Sequence, residues 1–87
     1  MDQKLSVAIV RSIYRDIMSR YGLDGYFQNI PPRSKARILE TWVQLVSEEL
    51  HKSGVISNVC EPLNVDEMDL ADVIDRINYF SSSGDDI

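Results

Sequence analysis

The chain of 87 residues has one cysteine, Cys60, and one histidine, His51. A single cysteine excludes an internal disulfide and any multi-cysteine zinc site. A single histidine removes most acid–base and metal-ligand constellations. Glycine is sparse, and Gly22 and Gly25 match neither nucleotide-binding motif. No apolar run reaches the roughly 18 residues of a membrane span. The stretch Leu5 to Val10 is interrupted by Ser6 and ends at Arg11, with no small-residue cleavage site behind it. No signal peptide is therefore expected. The C-terminal Ser81-Ser82-Ser83-Gly84-Asp85-Asp86-Ile87 fits no lipidation or retention signal. A lone thiol without an export signal suits a reducing cytoplasm, which is the expected location.

What is present is the composition of one small globular domain, with 44% apolar and 26% charged residues. The net charge of −5 hides a division. Residues 1–37 carry seven Lys/Arg against three Asp/Glu, a net of +4, whereas residues 38–87 carry two against eleven, a net of −9. Such asymmetry bears on association and partners, not on the fold.

Three helical segments stand out. The first is expected from about Gln3 to Tyr21, with Asp2 as N-cap and Gly22 as the left-handed residue that closes it. Val7, Ile9, Val10, Ile13, Tyr14, Ile17, Met18 and Tyr21 fill half of its wheel. Gly22-Leu23-Asp24-Gly25 is turn chemistry, with room for a short helical turn around residues 24–28. Pro32 opens a second helix, running to about Ser53, with an apolar arc of Ile38, Leu39, Trp42, Val43, Leu45, Val46 and Leu50. Glu49 falls inside that arc and there needs a cation or water beside it. Gly54 and Val55 fit a Schellman end. Residues 55–63 suit an extended packed connection better than a strand, because Pro62 and the lack of a second strand candidate oppose pairing. Asn64 with Glu67 reads as a capping box for a third helix from about Val65 to Phe80. Its core stripe is Leu70, Val73, Ile74, Ile77 and Phe80.

Few motifs carry chemistry. Glu48 and His51 have the E-x-x-H spacing of di-metal bundles, but they lie opposite the Trp42–Val46 face and should point to water. Cys60 and His51 lack a third orienting group, so Cys60 reads as a small buried hydrophobe. Asp69, Asp72 and Asp75 recur every three residues on a helix without the loop glycine that a calcium site needs. No metal or cofactor is expected. Lys4, Arg11 and Arg15 share one face of helix one, and with Arg37 they are the candidates for nucleic-acid contact. Against that, both inter-helix connections are too long for a helix-turn-helix.

The outer ridge of helix three is the strongest candidate. Met68, Asp72, Asp75 and Tyr79 follow i, i+4, i+7, i+11, with Asp69 and Arg76 beside them. Acids interleaved with apolar anchors make a partner-docking strip, in which charge steers and anchors hold. The apolar arcs of helices one and two are also wider than one core requires, so either each helix is sandwiched within the fold or the excess among Tyr14, Tyr21, Trp42 and Leu45 lies in a homodimer interface, the second being the expectation.

The expected fold is all-α, a small bundle of three main helices with an extended connection between helices two and three. Residues 1–80 form the single domain and 81–87 a flexible tail. The expected function is non-enzymatic. The chain reads as a regulator, adaptor or stoichiometric inhibitor that presents Met68, Asp69, Asp72, Asp75 and Tyr79 to a protein with a basic surface. Phages and bacteria make such small acidic chains to block a host machine, an analogy of class only. The alternative is a small DNA- or RNA-binding regulator.

Overall fold

The computed structural model describes residues 2–59, 61 and 63–81, with side chains from residue 5 onward. It places four helices in the order α1 (Asp2–Met18), α2 (Leu23–Gln28), α3 (Pro32–Lys52) and α4 (Leu70–Ser81). A 3₁₀ turn, Val65–Glu67, precedes α4, and no strand occurs among the described residues. The chain is thus a small all-α bundle with three main helices. Cys60 and residues 82–87 of the expected tail lie outside the described residues, while Ser81 closes α4.

Helix α1 ends three residues before Tyr21. The Ser19 hydroxyl donates to the Asp16 carbonyl at 2.7 Å and Arg20 Nε pairs with Asp16 Oδ2 at 2.7 Å, so the end is bonded locally. Gly22, at φ +96°, caps the start of α2 and does not close α1. Asp24 Oδ1 accepts from the backbone N–H groups of Gly22 and Gly25, which fixes the tight entry. The short α2 buries no residue fully, yet Phe27 sets its ring 6.1 Å from Tyr14 and 6.0 Å from Trp42.

Helix α3 opens on Pro32, whose missing N–H costs nothing at the first turn. It ends in a Schellman motif: Gly54 N–H donates to the His51 carbonyl, and Val55 N–H to the Leu50 carbonyl. Gly54 takes φ +82°, the left-handed state this closure needs. Val55 itself is exposed, and Ile56 makes the apolar return.

Two apolar clusters form the core. Val7, Val10 and Tyr14 of α1 meet Leu39 and Val43 of α3 and Phe80 of α4. Ala36, Val65 and Val73 make the second, with Met68 and Ile77 packed on it. Each large apolar side chain taken fully from water contributes roughly 1.5–3 kcal/mol. The buried stripe of α3 is Ala36, Leu39, Glu40, Val43 and Ser47, at i, i+3, i+4, i+7, i+11. Glu40, not Glu49, is therefore the carboxylate that needs a partner inside. Glu49 is exposed and pairs with Lys52 on its own helix.

Candidate functional site

Helix α4 starts at Leu70, five residues later than the sequence suggests. Asn64 does cap, but it caps the 3₁₀ turn: its side chain accepts from Asp66 N–H. Met68 then takes extended backbone, at φ −89° and ψ 148°. Arg33 holds this bend, its Nη1 donating to the carbonyls of Val65 and Met68. Arg37 pairs with Asp66 beside it. The turn is thus strapped to the first turns of α3 by two arginines of the basic half.

This bend rearranges the expected ridge. Met68 lies outside the helical register and is half-buried against the second core cluster, so it does not line up with Asp72, Asp75 and Tyr79. Asp69, Asp72 and Asp75 are exposed. Among the described residues, ion pairs go to Asp16, Asp66, Glu49 and Glu40, which leaves these three carboxylates to solvent. Leu70 and Ile74, expected in the core stripe, are 55% and 40% exposed. The stripe that does pack is Val73, Ile77 and Phe80, with Arg76 alongside. The outer face of α4 therefore carries Leu70 and Ile74 along one flank and Asp72 and Tyr79 along the other, with Asp75 between.

Tyr79 is 40% exposed, but its ring is engaged. The guanidinium of Arg11 sits 4.4 Å from the ring centroid and that of Arg76 5.5 Å from it. Arg76 also lies 4.9 Å from the centroid of Phe80 and donates from Nε to Glu40 Oε2 at 2.5 Å. The Glu40 side chain is 4% exposed and that of Arg76 24%, so this ion pair is largely withdrawn from water. Glu40 Oε1 accepts from the Leu63 backbone N–H at 3.3 Å, which ties the connection to α3. Beside these groups a half-open cleft of about 220 Å³ is lined by Val7, Glu40, Val43, Glu61, Leu63, Arg76 and Tyr79.

The residues of the alternative basic face differ in burial and partners. Arg11 is buried and stacked on Tyr79, Arg15 is half-buried, and Arg37 is held by Asp66. The Lys4 backbone is in α1 and its side chain is not among those described. The other sequence candidates separate too. Glu48 accepts from Gln44, and His51 Nδ1 reaches the Ile56 carbonyl, so the two make no joint site. Among the described residues no group of three His, Cys, Asp or Glu is placed to hold a metal ion. None of the helices there is long and apolar enough to cross a membrane.

Sequence reasoning missed the Glu40–Arg76 pair. The one available signal was spacing: Glu40 stands four residues after Ala36 and three before Val43, inside a helical stripe of small and apolar residues. Compared with known proteins, this chain matches no protein-family model, no curated protein and no solved structure.

Proposed function

We propose that this chain is a non-enzymatic protein-binding regulator, adaptor or stoichiometric inhibitor that docks a basic protein on the outer face of α4. The observation that carries this reading is that α4 exposes Leu70 and Ile74 on one flank and the carboxylates of Asp75 and Asp72 on the outer side and far flank, with exposed Asp69 just before the helix. Exposed acids alone are a solvated surface. Aliphatic anchors one turn apart on the neighbouring flank supply the apolar burial that affinity requires, while the acids raise the encounter rate with a cationic surface. Tyr79 contributes as the edge of this face, its ring being backed by Arg11 and Arg76. Met68 supports the helix start from within.

Self-association belongs to the same reading. Tyr21, Tyr26 and Leu45 are strongly exposed aromatic and aliphatic side chains, the kind a second copy would cover, whereas Tyr14 is spent in the core. Sedimentation of the wild type against Leu45→Glu and Tyr26→Glu tests this: a dimer that these changes dissociate is expected, and a monomer at every concentration contradicts it.

The docking reading is tested by affinity capture with the wild type and with Asp72→Lys combined with Asp75→Lys. Basic proteins retained by the wild type should be lost from the double variant while far-ultraviolet circular dichroism stays unchanged. Identical retention by both proteins would remove α4 as the docking face. A gel shift at two salt concentrations addresses the nucleic-acid alternative, since phosphate contacts weaken steeply with salt.

A further inference from the structure

We infer that the cleft beside Tyr79 receives a lysine side chain from the basic partner, an assignment that rests on the docking reading of α4. Asp72, Arg76 and Tyr79 are spaced by four and three residues, so the acidic flank of α4 runs directly into the cleft wall. The cleft is smaller than the roughly 300–1,000 Å³ of a drug-sized ligand site and suits a single long side chain.

Its lining separates into two kinds. Val7, Val43 and Leu63 offer apolar wall for an alkyl stem. Glu40 and Glu61 offer carboxylate for a cationic head. Glu40 is the more telling of the two, because its carboxylate is buried and accepts from Arg76 Nε and Leu63 N–H. A carboxylate has about four acceptor positions, so it can take a further donor from the cleft. The charged lining favours a cation: Glu40 and Glu61 outnumber Arg76 by two to one. A guanidinium is the poorer fit, since Arg76 already occupies the flat approach over Tyr79 and Phe80. The compact, freely rotating ammonium of lysine does not need that plane.

The test uses the isolated chain and two small probes, n-butylammonium and its neutral counterpart n-butanol. Amide chemical shifts are followed by nuclear magnetic resonance through each titration. Butylammonium should move the amides of Val7, Val43, Leu63 and Tyr79, with a Kd on the order of 10 mM. Butanol should bind roughly tenfold more weakly, because it lacks the charge-assisted bond. Glu61→Gln should weaken butylammonium roughly fivefold, the scale of one partly exposed charge pair. Equal shifts from both probes, no shifts at these amides with either, or indifference to Glu61→Gln would overturn the assignment. Neither probe involves the partner, so a negative result removes the cleft while the α4 variants judge the docking face separately.

Discussion

Among single residues, Glu40 and Arg76 carry the sharpest energetic consequence. Removing Arg76 leaves a carboxylate that is almost wholly buried without its cation, and breaking such a pair costs about 3–5 kcal/mol. Replacing both members by apolar residues of similar volume removes the uncompensated charge along with the attraction. Urea unfolding should therefore show Arg76→Met strongly destabilised, with Arg76→Met plus Glu40→Met recovering to within about 1 kcal/mol of the wild type. A double variant as unstable as the single one would contradict this. Ser6 gives a smaller effect of the opposite sign. Its hydroxyl is buried and finds no hydrogen-bond partner among the described residues, so Ser6→Ala should be neutral or stabilising by about 1 kcal/mol. Tyr14 adds a pH dependence. Burial pushes its phenol above the ordinary 10.0, so the unfolded chain ionises first as pH rises. Its contribution is complete below about pH 10 and is lost as pH climbs from there through the raised folded value. Tyr14→Phe should flatten that alkaline loss in a urea-stability profile against pH, and an unchanged profile would assign the loss elsewhere.

Within single elements, sequence and structure agree best where local bonding decides and least where neighbouring helices do. The ends of α3 were legible because Pro32 and Gly54 act through backbone geometry alone. Its buried face was legible only in part: Leu39 and Val43 are buried and Trp42 and Val46 pack against the core, but Leu45 is exposed and the burial extends round the helix to Ala36, Glu40 and Ser47. Small side chains let α1 and α4 approach from two sides, and Arg76 compensates Glu40 across the contact. Those are tertiary facts that a wheel cannot contain. The start of α4 was missed for a related reason. Asn64 does cap a helical turn, but what bends the chain at Met68 is Arg33, 35 positions away. Arg33→Ala should free the carbonyls of Val65 and Met68 and cost about 1–3 kcal/mol. Amide exchange at Met68, whose N–H bonds to Val65, should quicken before the rest of α4 does. Unaltered exchange there would mean that the strap is ornamental.

Taken whole, the molecule folds its basic half onto its acidic half without neutralising it. Arg33 and Arg37 of the positive segment are consumed at the 3₁₀ turn, and Arg11 is committed to Tyr79. What remains outward on α4 is acid with two aliphatic anchors. The charge division was visible in the composition, but which charges would be spent internally was not, because that depends on pairings 29 and 36 residues apart. The same accounting predicts that the docking face combines long-range attraction with short-range burial, and the two should separate experimentally. Charge reversal acts mainly through the encounter rate and salt, whereas loss of the anchors acts mainly on dissociation. The most direct measurement is the Kd of a captured basic partner for three proteins at low and physiological salt: the wild type, Asp72→Lys with Asp75→Lys, and Leu70→Ser with Ile74→Ser. We predict that both double variants weaken binding by roughly tenfold or more, and that only the charge-reversed protein loses the salt dependence. Wild-type affinity in both double variants would contradict the central claim that the outer face of α4 is where this chain meets its partner.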